Sequence, residues 1–271
     1  MTTTSPTRPA VASAVARPVT LVNSIRSEWV KFHGLTSNFM LTGFTLLLLI
    51  GNGAAMPWAY VFRDRGSAQA DYDAYPEMVI DKTGYVGILL AILGALVVAN
   101  EYRSGQIKAT MLSVPRRTHV LVAKATTVGT VSFLVGLISA AISLTIAPPI
   151  LATAGYGYEL AASDAVRLIL GSGLYLATLA VIGIAIGALV RNVVASVLGV
   201  LGLLLVMPVI PQMFSDVGGQ ITAYFPIQAG SLLLAPPEPH TLGPWIGYLV
   251  LAGWAIVLFL VAAVVVSRRD T

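Results

Sequence analysis

One stretch of the chain gathers charged side chains at close spacing between long apolar runs: EYRSGQIKATMLSVPRRTHVLVAK, from Glu101 to Lys124. Its Glu101, Arg103, Lys108, Arg116, Arg117 and Lys124 are suited to ion pairing and docking. Ile107, Met111 and Leu112 recur at helical spacing between Gly105, which permits a break, and Pro115, which stops a helix. A short helix over residues 106–113 therefore presents an apolar face with no apolar partner in its own loop. That face is available either to the lipid interface or to another protein. Arg116 and Arg117 then anchor the chain, Thr118 caps the next helix, and Lys124 is expected to snorkel back toward the headgroups.

Bond-making chemistry has little to work with in this chain. Cysteine is absent, which removes thiolate nucleophiles and thiolate metal sites. His33, His119 and His240 are dispersed, which argues against a shared metal centre, and no metal is expected. No stretch reads G-x-x-x-x-G-K-[ST], the loop that cradles nucleotide phosphates. No segment has the spacing of a nucleophile elbow either. The chain reads as a non-enzyme without a catalytic residue or cofactor of its own.

The elements that must position the basic stretch are membrane helices. Mean hydropathy is +0.84, with 56% hydrophobic and only 10% charged residues, against roughly 25% charged in soluble domains. Crossing about 30 Å of hydrocarbon takes about 20 helical residues, and runs of that kind occur at Asn38–Phe62, Gly84–Ala99, Leu121–Ala147, Ala165–Val190, Val193–Pro211 and Pro244–Val266. Six spans with both termini inside put twelve Lys and Arg against three acids on the inner side, and four against nine on the outer. That is the positive-inside asymmetry of a multi-pass protein of the cell membrane with cytoplasmic termini. It also accounts for the basic balance without nucleic acid.

Residues 1–18 are small, Pro-rich and free of acids, and read as a disordered cytoplasmic tail. Residues 19–34 read as an amphipathic helix, with Leu21, Ile25, Trp29 and Phe32 on one stripe and Arg26, Ser27, Glu28 and Lys31 on the other side. Such a helix lies on the inner membrane face and ends at Gly34. Residues 35–271 form the six-span domain. Within the spans, Gly183 and Gly187 make a small-xxx-small pair for close helix packing, and the buried hydroxyls are structural. From Gln212 to Gly243 the chain is half apolar and framed by prolines, so short helices should dip in from the outer surface.

The segment NEYRSGQIKATMLSVPRRTHVLVAK resembles the loop between the second and third spans of ABC-2 type exporter permeases. SIRSEWVKFHGLTSNFML resembles the connecting helix that enters their first span, and ITAYFPIQAGSLL resembles the segment between their fifth and sixth. The resemblance extends over nearly the whole chain from Leu21. It implies an all-α, six-helix transmembrane permease with an interfacial connecting helix, a cytoplasmic coupling helix and re-entrant helices before the last span. Ile107, Lys108, Met111, Leu112, Arg116 and Arg117 would then couple to a cytoplasmic ABC ATPase subunit, although Arg116 and Arg117 serve equally as positive-inside anchors. Glu28, Glu101 and Arg103 would form a transmission cluster, and Tyr224, Phe225 and Pro226 an external gate. ATP and Mg would be bound by the partner, and a second permease copy or a sister permease would complete the pathway. Cargo would be a hydrophobic or amphipathic small molecule, peptide or lipid moved outward. Two other readings compete: an ATPase-independent channel or lipid-handling protein, and an immunity or assembly protein that transports nothing.

Overall fold

A computed structural model of the chain describes residues 20–63, 76–80, 82–106, 117–213, 220–236 and 242–268, and no strand forms among them. Helix α1 (Leu21–Gly34) begins where Thr20 Oγ1 accepts a hydrogen bond from the Asn23 N–H at 3.3 Å. That cap satisfies one of the free N–H groups of the first turn. Then follow α2 (Thr36–Arg63), a single 3₁₀ turn (Pro76–Val79), α3 (Thr83–Ser104), α4 (Arg117–Ala152) and α5 (Ala162–Val190). α6 (Val193–Leu201) runs through a π turn at Gly202–Val206 toward α7 (Val209–Gln212), and α8 (Pro226–Ser231) precedes α9 (Pro244–Arg268).

Among the described residues six helical stretches are long and apolar enough to cross a membrane, and they coincide with the six runs read from the sequence. The shortest of those runs, Gly84–Ala99, is extended at its end by a polar turn to Ser104. The resulting helix has 22 residues, about 33 Å at 1.5 Å per residue. It stops because Gly105 takes φ 72° and donates its N–H to the Tyr102 carbonyl at 3.3 Å. Six successive crossings return the close of α9 to the end of the bundle where α2 begins. We call this the basal end.

α5 is the central helix and packs against α3, α4, α6 and α9. Hydrocarbon offers no hydrophobic drive between helices, so close backbone approach and van der Waals contact must hold them together. A Cβ on Gly183 would run into the carbonyl of Ala91, and one on Gly187 would lie 2.6 Å from that of Ala95. The small-xxx-small pair therefore seats α5 directly on the α3 backbone. Hydroxyls at depth mostly bond their own helix, as Ser172 does to the Leu168 carbonyl at 2.8 Å and Thr178 to that of Leu174 at 2.8 Å. α2, α6 and α9 keep apolar outer faces, among them Phe44, Leu47, Val194, Leu198, Leu249 and Val257.

α1 docks through a face that shares Phe32 with its apolar stripe. Ser24, Glu28 and Phe32 are buried against the bundle, whereas Leu21 and Trp29 stay exposed. Phe32 packs into the apolar core of the bundle, and Glu28 meets Lys124 of α4 beside it.

Candidate functional site

Four charged side chains from three elements meet at the basal end. Glu28 and Lys31 lie one turn apart on α1, Glu101 is in the last turn of α3, and Lys124 is in the second turn of α4. Lys124 Nζ is 2.7 Å from Glu28 Oε2 and 2.8 Å from Glu101 Oε1. Lys31 Nζ is 2.7 Å from Glu28 Oε1 and 3.1 Å from Glu101 Oε1. Each lysine thus bridges both carboxylates, and the four charges cancel around a ring.

Burial grades the ring. The side chains of Lys124 and Glu28 are 2% and 5% exposed, that of Glu101 is 9%, and that of Lys31 is 40%. Lys124 therefore does not snorkel. Its ammonium is taken up by two carboxylates, at 2.7 and 2.8 Å, and carbonyl or carboxylate partners are what a lysine entering an apolar span requires. Burial by itself would raise the Glu28 carboxyl, but the Lys124 charge and hydrogen bonds from Lys124 and Lys31 outweigh it and hold it below its ordinary value. Burial would likewise lower the Lys31 ammonium, and Glu28 first, then Glu101, push it above its ordinary value instead.

The ring fixes α1 to the two helices that flank the basic stretch. Glu101 stands just before that stretch and Lys124 just after it, so one cluster grips both ends of the loop. Asn38 Nδ2 adds a link between α2 and α1 by donating to the Phe32 carbonyl at 3.5 Å. Arg103, expected beside Glu28 and Glu101, does not join the ring; it is exposed, in no ion pair among the described residues, and lines an adjoining cavity. Ile107, Lys108, Met111, Leu112 and Arg116 lie outside the described residues, while Arg117 opens α4. Lys31 and Lys124 are the members that the sequence reading left out. A lysine in the first turn of the apolar run from Leu121, and an acid and base at i,i+3 on α1, were the signals for them.

The opposite end carries a second polar knot. Arg167 Nη2 is 2.7 Å from Glu77 Oε1 and 3.4 Å from Asp164 Oδ1, and Nη1 donates to the Leu233 and Ala235 carbonyls at 3.0 Å each. It ties α5 to the 3₁₀ turn and to the chain after α8. Burial, together with the Glu77 charge, pushes the nearby Tyr158 phenol up to about 12. Tyr224, Phe225 and Pro226 lead into α8. The Tyr224 carbonyl accepts from Trp254 Nε1 at 2.9 Å, Phe225 stacks on Trp254 with ring centres 6.3 Å apart, and Pro226 is buried. Tyr175, buried in α5, donates its hydroxyl to the Ile227 carbonyl at 2.7 Å. α8 is thereby held between α5 and α9.

Among the described residues no group of His, Asp or Glu has the arrangement of a metal site. A family model described as "ABC-2 family transporter protein" matches residues 24–209, from α1 to the start of α7. No curated protein matches the chain.

Proposed function

Since the chain belongs to the ABC-2 transporter family, and is a multi-pass membrane protein of the permease kind, we propose that it is the transmembrane subunit of an ABC exporter. A separate cytoplasmic ATPase subunit, which binds ATP and Mg, supplies the energy. The basal end faces the cytoplasm, as the distribution of Lys and Arg favours. Cargo is a hydrophobic or amphipathic small molecule, peptide or lipid carried outward between this chain and a second permease. The exposed apolar faces of α2, α6 and α9 are candidates for that pairing.

One observation carries this reading: the ring of Glu28, Lys31, Glu101 and Lys124 joins α1 to both flanks of the basic loop. A pull on that loop by a docked ATPase would move the close of α3 and the start of α4 together. It would also take α1 along, because the ions linking them are mostly buried and costly to separate. Ile107, Lys108, Met111 and Leu112 form the docking helix on this account, with Arg116 and Arg117 beside it. At the outer end, Tyr224, Phe225 and Pro226 close the pathway while Arg167 holds the adjoining chain. Ile107→Asp combined with Leu112→Asp should abolish both transport and co-purification of the ATPase while the permease still folds. Retention of both would remove the coupling assignment.

A further inference from the structure

Only Arg191 and Asn192 separate α5 from α6 at the basal end. Arg191 takes φ 58°, the one positive φ outside glycine among the described residues, while its N–H still donates to the Gly187 carbonyl at 3.0 Å. Glycine adopts that conformation freely, and a side chain makes it costly. A residue kept there against the backbone preference needs a compensating contact. The Arg191 side chain has one: its guanidinium carbon lies 5.1 Å from the centre of the Tyr102 ring, within the range over which an aromatic face attracts a cation. Nε and Nη2 of the same guanidinium are buried and have no hydrogen-bond partner. An arginine that only anchored the chain on its positive side would extend to the headgroups. This one is turned inward, onto the end of α3.

Tyr102 directly follows Glu101 in the last turn of α3. Glu101 meets Lys31 and Lys124, and Tyr102 meets Arg191. The turn that leads into the basic loop is thus held by α1 and α4 through one residue and by the α5–α6 turn through the next. Asn192 then caps α6, its Oδ1 accepting from the Ala195 N–H at 3.0 Å, so the first turn of α6 is fixed to the same short link. We propose that Arg191 is a positioning residue that ties the start of α6 to the last turn of α3, so that α6 follows the basic loop when the loop moves. α6 carries Val194 and Leu198 on one of the exposed apolar faces, and a displacement of the loop reaches that face through a single side-chain contact. The use of this tie in export rests on the ATPase-coupled reading, whereas the tie itself does not.

The test is a spin label on Val194→Cys, exposed in the first turn of α6 and unique in a chain without cysteine, in the detergent-purified full chain. Arg191→Asn tolerates the positive φ without the added freedom of glycine and removes the guanidinium, so the label should shift to faster motion. Tyr102→Leu should give the same shift, and Tyr102→Phe, which keeps the aromatic face, should leave the label as in the parent. The pair Arg191→Asn and Tyr102→Leu should move it no further than either alone. A label unmoved by Arg191→Asn, equal effects of Tyr102→Phe and Tyr102→Leu, or an additive pair would overturn the tie. Adding the co-purifying ATPase with ATP, Mg and vanadate should then shift the Val194→Cys label in the parent and in Tyr102→Phe, but not in Tyr102→Leu. A second label on Ser104→Cys, exposed at the end of α3, separates the remaining outcomes. A shift at Ser104→Cys without one at Val194→Cys, or an equal Val194→Cys shift in Tyr102→Leu, would overturn transmission to α6. No shift at either label would count against the ATPase reading and leave the tie to stand on the mobility results.

Discussion

Lys124 holds two buried carboxylates, so Lys124→Met leaves both without their deepest partner. Removing one member of a buried ionic cluster costs about 3–5 kcal/mol, whereas Lys31→Met, at the partly exposed position, should cost about 1 kcal/mol or less. Melting of the two purified variants in detergent checks the order, and equal losses would contradict the graded ring. The pH response has a definite sign. Glu28 is held below its ordinary 4.5, so its contribution is complete above that value and is lost as pH falls through the lower folded value. Lys31 is raised above its ordinary 10.5, so its contribution is complete below that value and is lost as pH rises through the higher folded one. A spin label on Val22→Cys, unique in a chain without cysteine, should keep constant mobility between those limits and gain mobility beyond either. Glu101 was legible as a charge at a membrane exit and Glu28 as one on the polar side of α1, and the family resemblance grouped them. Their two lysine partners were hidden because contacts between α1, α3 and α4 join residues as far as 96 positions apart, which periodicity cannot reveal.

Helix packing makes sharper demands at some glycines than at others. Gly183→Val places side-chain atoms in the α3 backbone at Ala91 and should cost about 1–3 kcal/mol through overpacking. Gly253→Ala meets nothing nearby and should melt like the parent protein. At the outer end, Arg167→Met strands Glu77 and two carbonyls, with an expected loss of about 3 kcal/mol and faster proteolysis after α8. Adding Glu77→Leu to Arg167→Met should recover part of the loss, and a strictly additive pair would show that the ion pair is not what couples these elements. The spans and the Gly183–Gly187 pair were readable because apolar length and small-residue spacing are local properties of a helix. The docking face of α1 was legible only at Phe32, the stripe residue that packs into the bundle; the burial of Glu28 depends on a nonlocal partner, Lys124. The Arg167 knot escaped for the same reason: Glu77 lies 90 residues away, on a turn with no periodicity of its own.

For the molecule as a whole, the structure places a charged clamp at one end of a six-helix bundle and a second polar knot at the other, with apolar outer faces on α2, α6 and α9. A bundle clamped at the basal end and tied at the outer end can pass a pull on its basic loop along α3 and α4 without first coming apart. The most direct measurement is quantitative mass spectrometry of what co-purifies with the tagged full-length chain from native membranes in mild detergent. The account predicts a soluble subunit carrying a phosphate-cradling G-x-x-x-x-G-K-[ST] loop, in stoichiometric amount, lost when Ile107 and Leu112 are both changed to Asp. Repeated recovery of the folded chain with no such subunit would contradict it.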